Sequence, residues 1–419
     1  MTEPSVITVA AEPRTPVLEF VNEEAHAEPL TAAVSDYADE PAFSFDAFPP
    51  FPHPLRHPLR AIGWVASLPF GIASLVLMLA VIAAIPLVNF LALGYLLEAQ
   101  GRVARTGKLR YALPLLPLAP RLGGIAFGLW FWLLIVRLVA DAASDAATIA
   151  PGTTVAAGWQ IALAMVSLGV GLHLLLAVAR GGNFWCFFRP IKNLRWCFGQ
   201  FRAGNYWSQA ELAVREFLIA LRLPHHFRRG VIGFFGTLAW LFVPTVLFAA
   251  LQTVQKPGQV LLTLLGGVLL IPVLAWAPFL QAHYAAENRW TAFRELGTVR
   301  ELFTRSPIAW TVAVIVLYAL SLPLYLFKVA APPQDAMWFV TLIFVSTIYP
   351  AKILIGWTYA RARRRENRPR WPISRWACRL LLAPLLAFYL FLLFFTPAIG
   401  AAGRRVLFEY HALLLPTPF

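Results

Sequence analysis

The sequence predicts an all-α fold, a polytopic transmembrane helix bundle, and three observations carry that prediction. Of 419 residues, 59% are hydrophobic and only 13% charged, with a mean hydropathy of +0.66. Soluble domains run at roughly 45–50% apolar and about 25% charged, so this chain lacks the charge to solvate a globule of its length. The apolar residues also gather into runs near the length, about 20 helical residues, that a bilayer core requires. Finally, these runs lack the polar/apolar alternation of barrel strands, which leaves helices as the form that satisfies the backbone in hydrocarbon.

Residues 1–60 stand apart. They hold 10 of the 21 acidic residues but 3 of the 35 basic ones, a formal −7 that leaves +21 on the remainder. Glu, Asp, Pro and Ala dominate, with too little apolar surface to offset the entropy of ordering. An acidic, Pro-rich disordered tail is expected, acting as a linker; as a docking segment it would offer Phe43, Phe45, Phe48 and Phe51 as anchors. The first 30 residues have neither the basic start nor the apolar core of a cleavable signal peptide.

The transmembrane domain is then expected over 61–419. Seven runs are clear spans: about 121–141, 156–179, 231–253, 259–284, 308–330, 337–359 and 379–399. The run 61–101 is too long for one ordinary crossing, and Pro86 with Asn89 marks a break. It reads either as one span plus an interfacial helix or as a tight pair of short spans.

Charge places the loops. The segments 102–120, 180–230, 285–307 and 360–378 are basic, whereas the alternate connections carry only Asp141 and Asp145, Lys256, or Lys328 and Asp335. By the positive-inside rule the basic loops are cytoplasmic and the tail from about Gly400 lies outside. Arg56 and Arg60 favour a cytoplasmic N-terminus, which requires an even number of crossings in 61–101. Arginines in short loops between apolar runs do not make a nucleic-acid surface, so the expected partners are the lipid bilayer and a membrane protein, with no nucleic acid.

Two of these loops carry helical patterning. In 205–223, Trp207, Ala210, Val214, Phe217, Leu218 and Leu221 form one stripe, with Glu211 and Arg215 as an i,i+4 pair. The stretch 288–303 repeats the idea with Trp290, Phe293, Leu296, Val299 and Phe303, and Ser306-Pro307 supplies an N-cap and a first-turn proline. Both read as amphipathic interfacial helices that seal the bundle. Pro86–Tyr95 and Pro350–Tyr359 share a spacing, with Pro278–Tyr284 less regular; this is either a faint internal repeat or an aromatic belt at each cytoplasmic exit.

Ionisable residues inside a membrane are costly and are the first functional candidates. Four stand out: His173, near the middle of its span; Lys352, about two turns from a cytoplasmic helix end and within snorkelling reach; Arg137, placed to pair with Asp141; and Glu98, at a cytoplasmic end beside the basic segment. His283 sits at another such end. No HExxH, GxSxG, Walker motif or buried carboxylate pair is present, so no catalytic residue, cofactor or metal is predicted and acid/base groups are not expected to meet. Cys186, Cys197 and Cys378 are odd in number and form no C-x-x-C pair. Gly124 and Gly128 make one GxxxG, and Gly266-Gly267 with Pro272 could bend a later span.

The run from Ile85-Pro86 through Gly94-Tyr95, Glu98 and Arg102 to Arg105, with the basic turn to Arg110, resembles uncharacterised bacterial polytopic membrane proteins of the domain-of-unknown-function type. The stretch Pro278 to Pro307 and the ending from Leu413 to Phe419 share that character. The resemblance implies a bacterial inner-membrane protein and brings no catalytic residues with it. The expected function is a non-enzymatic structural or accessory component of a membrane assembly. The alternative is a transporter or permease for a small solute or lipid.

Overall fold

The computed structural model describes residues 52–53, 56–250, 257–330, 333, 336–366, 373–399, 403–409 and 411–415. Residues 1–51 of the acidic tail with its four phenylalanines, Lys256, Asp335 and the last residues from 416 lie outside the described residues, and the end of the tail segment, from Pro58, already belongs to the first helix. Twelve α-helices are described: α1 (Pro58–Ala84), α2 (Asn89–Thr106), α3 (Ala119–Ile149), α4 (Thr154–Ala179), α5 (Pro190–Arg202), α6 (Tyr206–Leu221), α7 (Leu223–Phe248), α8 (Pro257–Glu287), α9 (Leu296–Arg305), α10 (Pro307–Val329), α11 (Met337–Arg364) and α12 (Ile373–Ile399). No strand occurs among the described residues. Among the described residues, eight helices are long and apolar enough to cross a membrane: α1, α3, α4, the 206–248 run that ends in α7, α8, α10, α11 and α12. The chain is therefore an all-α, multi-pass membrane protein.

The ambiguous run 61–101 breaks into α1, one of the eight apolar helices, and the shorter, charge-bearing α2, which is not among them. The backbone turns between Ala84 and Asn89, with Leu87 in the left-handed region at φ 65°. Ala80 O accepts a hydrogen bond from Thr341, near the start of α11. From the turn onward, Tyr95 meets Tyr349, Gln100 meets Gly356, and Thr106 O accepts from Arg364 at the other end of α11. So α1 runs antiparallel to α11 and α2 runs back parallel to it. Three charges (Glu98, Arg102 and Arg105) keep α2 from reading as an ordinary span, and burial explains how it carries them: its residues from Asn89 to Gly101 are nearly all enclosed by α7, α8 and α11.

Glycine permits that enclosure. A Cβ on Gly94 would overlap the His226 carbonyl, and one on Gly230 would overlap the Phe90 carbonyl. The α2 and α7 backbones thus touch where they cross, as small residues allow in membranes. Gly124 and Gly128 work differently from the helix–helix packing their spacing suggested. They receive Phe184 and Phe187 of the turn after α4.

The ends of α2, α7, α8 and α11 that adjoin the basic loops share one end of the bundle. Arg105 donates to Ala285 O (3.1 Å) and Ala286 O (3.3 Å), and Arg363 pairs with Glu287 at 3.4 Å. Helix α6 lies there too, with Leu221 buried and Trp207, Val214 and Leu218 exposed; the Arg121 guanidinium stacks 4.3 Å over Phe217. The 288–303 pattern splits into a 3-10 turn (Trp290–Arg294) and α9, which bury Phe293, Val299 and Phe303. Ser306 holds the N-cap position of α10 but makes no side-chain cap bond, contrary to expectation; its carbonyl instead accepts from Trp310 N–H at 3.1 Å. Glu211 and Arg215 are both exposed, and no ion pair joins them among the described residues, since an exposed pair gains too little to fix two long side chains.

Candidate functional site

Glu98 is the hub of the basic end. Its carboxylate accepts from Arg102 Nε at 2.8 Å and from the buried Arg229, with Arg105 at 3.7 Å and His225 Nε2 at 3.3 Å. Arg229 also donates to Ala285 O, so one guanidinium joins α2, α7 and the C-terminal end of α8. Cations at a helix C-terminus meet both its unpaired carbonyls and its dipole. The sequence reading placed Glu98 only beside a basic segment; the i,i+4 spacing of Arg102 was the signal that could have paired them. His225 and Arg229, more than 120 residues away, left no local signal.

Beside the hub, His283 Nε2 lies 2.7 Å from Glu295 and its Nδ1 lies 2.8 Å from the Tyr359 hydroxyl, with Arg289 closing on Glu295 at 2.9 Å. Acid/base groups do meet, then, against the sequence expectation. The 3-10 turn folds Glu295 back onto α8, and α11 supplies the tyrosine 76 residues further on. This relay fastens α8, α11 and the 290–294 turn; neither it nor Glu98 lines any of the four cavities described. Tyr95, Tyr284 and Tyr359 are all buried, so they do not form a lipid-facing belt.

Lys352 lies deeper and does not snorkel. It is 1% exposed and twelve residues from the end of α11, and its ammonium donates to Gln281 Oε1 on α8. The Gln281 amide donates in turn to Thr237 Oγ1 on α7 (3.0 Å) and to Leu413 O (3.0 Å). The C-terminal segment 411–415 is thus buried against the bundle rather than trailing free. His411 Nδ1 accepts from Leu413 N–H at 3.1 Å, and Lys328 donates to Val406 O at 2.8 Å. Burial, with Lys328 and Lys352 near, pushes the His411 imidazole down to about 3, whereas burial pushes the Glu409 carboxyl up.

The other two candidates have plainer surroundings. His173 Nε2–H and Trp132 Nε1–H both donate to Phe187 O, each at 2.8 Å, with the two rings 4.7 Å apart. This clamp pins the turn after α4 to α3. Arg137 is exposed on α3 and makes no ion pair with Asp141 among the described residues, because at this lipid- or water-facing position neither chain is held. No group of three or more His, Cys, Asp or Glu side chains placed to hold a metal occurs among the described residues. Cys186, Cys197 and Cys378 are free thiols.

Fold and site together define a multi-pass α-helical membrane protein with a charged hub at one end and a lysine-centred clamp inside. No protein-family model, curated protein or solved structure matches the chain.

Proposed function

We propose that this protein is a structural or accessory component of a membrane assembly, without catalytic activity, in the plasma membrane of a bacterium with its basic loops in the cytoplasm. One observation carries the reading. Lys352, buried in α11, is engaged through Gln281 in a fixed internal clamp with Thr237 and Leu413 O instead of being presented to solute. A core cross-linked this way resists the rocking of one half against the other that alternating access requires. The positive-inside pattern supports the orientation, and the sequence resemblance supports the bacterial setting.

A second reading, transport of a small solute or lipid, draws on Lys352 itself. This buried cation has no carboxylate partner among the described residues, and such groups mark ion and substrate paths in other membrane proteins. Thiol accessibility separates the two. In a cysteine-free background, Thr237→Cys in proteoliposomes should stay unlabelled by a membrane-impermeant maleimide from either side. Labelling from one or both sides would favour transport. For the assembly itself, native extraction in lipid should recover the chain with a membrane protein in fixed stoichiometry; recovery of the chain alone counts against it.

A further inference from the structure

A lateral groove of about 720 Å³ opens between α7, α8, α9 and α12. Its walls are apolar and aromatic, with Trp240, Pro244, Trp276, Phe303 and Leu386 among them, and the two charges on its lining are Arg300 and Arg379. The groove has a direction. On α12, which leaves the basic end of the bundle, lining runs from Arg379 to Leu386; on α8, which returns to that end, it runs from Leu269 to Trp276. Each stretch rises about 10 Å at 1.5 Å per residue. On α7, Trp240 precedes Pro244 in the same outward sense. All three helices therefore put the arginines at the mouth by the basic end and the purely apolar lining deeper in the membrane.

Among the described residues these charges have no carboxylate partner. Arg300 has no ion-pair partner among the described residues, and Arg379 rests on the rings of Phe303 at 5.7 Å and Trp376 at 5.5 Å. The acids closest in sequence are engaged elsewhere: Glu301 with Arg305 at 2.8 Å, and Glu295 with Arg289 and His283. Two exposed guanidiniums above an apolar slot match one molecule, polar and anionic at the membrane surface and hydrocarbon below.

We propose that this groove is a binding site for an anionic phospholipid, with Arg300 and Arg379 holding the headgroup phosphate and one acyl chain lying along α8 and α12. The volume falls in the ordinary range of roughly 300–1,000 Å³ for ligand pockets, and basic recesses between membrane helices are a known form of headgroup recognition. A tail leaving the bilayer for the groove exchanges one hydrocarbon setting for another, so the walls supply shape. Selectivity rests on the two arginines. The site is independent of the structural-component reading, since it needs neither an assembly partner nor transport.

Native mass spectrometry of the full chain released from phosphatidylcholine nanodiscs doped with phosphatidylglycerol tests it. The wild type should retain one phosphatidylglycerol in preference to phosphatidylcholine. Each single Arg→Ala change should lower that preference about fivefold, and the Arg300→Ala/Arg379→Ala pair roughly thirtyfold. Arg300→Lys/Arg379→Lys keeps the charge and should keep most of the preference, which guards against misfolding. Ala383→Trp, filling the slot beneath intact arginines, should evict the lipid. Equal retention of both lipids by the wild type, an unchanged preference in the double Ala variant, or displacement by inorganic phosphate at the lipid's own affinity would each overturn the proposal. So would a second copy of the chain occupying the groove.

Discussion

Replacing Glu98 by Gln should destabilise the bundle by about 3 kcal/mol, more than any other single charge removal at the basic end. The side chain keeps its shape and one acceptor oxygen, so the loss is chiefly the negative charge. Around it stand Arg102, Arg105, Arg229 and His225, with Arg229 only 3% and Glu98 itself 7% exposed in side-chain area. Removing one partner of a buried pair costs about 3–5 kcal/mol because the other charge is left uncompensated. The lower end applies because Arg229 retains Ala285 O as an acceptor. Arg102 is 17% and Arg105 26% exposed, so water screens their share and each pairing adds at most about 1 kcal/mol. The assay is unfolding by SDS titration in mixed micelles, followed by far-UV circular dichroism, on the wild type, Glu98→Gln, Arg229→Gln and the double variant. About 3 kcal/mol corresponds to a shift of roughly a hundredfold or more in the folding equilibrium. The double variant should lose far less than the sum of the singles, since each alone strands a charge the other no longer leaves. Glu98→Gln unfolding with the wild type, or strict additivity in the cycle, would refute the account of Glu98 as an electrostatic hub.

Gly230→Ala should cost about 2 kcal/mol or more by prising α2 from α7, whereas Gly199→Ala, with open space around it in α5, should be neutral or slightly stabilising; equal effects in micelle unfolding would sink the close-crossing argument. His173→Phe alone should cost about 1 kcal/mol, because Trp132 still donates to Phe187 O, and adding Trp132→Phe should cost more than a second such increment. His411 is held neutral by burial, with its pKa lowered to about 3 against an ordinary value of 6.5. Its contribution is therefore complete above about pH 6.5 and falls away as pH drops toward 3. Hydrogen exchange of residues 411–415 should quicken over that window, and the window should vanish in His411→Phe.

Much of the architecture was legible locally. Each of the seven expected spans falls on a described helix, 231–253 as far as Phe248 with 251–253 outside the described residues, and the four basic segments adjoin helix ends that meet in the structure, because hydropathy and charge are properties of contiguous residues. The buried stripe of 290–305 was legible for the same reason, whereas the stripe expected on α6 leaves Trp207, Val214 and Leu218 exposed and does not seal the bundle. The break at Pro86 was visible, but whether the helix after it would be enclosed by the bundle was not. That depended on whether Glu98, Arg102 and Arg105 would find partners, and those partners come from α7 and the C-terminal end of α8.

By itself, then, the sequence determined the fold class, the spans and the basic end, since a bilayer tests each segment for apolar length before any segment meets another. Only the tertiary structure decided that α2 is enclosed, that Lys352 holds Gln281 instead of snorkelling, that His173 clamps a turn, and that His283 meets Glu295 and Tyr359. Each of these joins residues from different helices or turns. A polar group in hydrocarbon must be satisfied by whatever the packing brings within about 3 Å, and packing, unlike hydropathy, is not written in any one window of the chain.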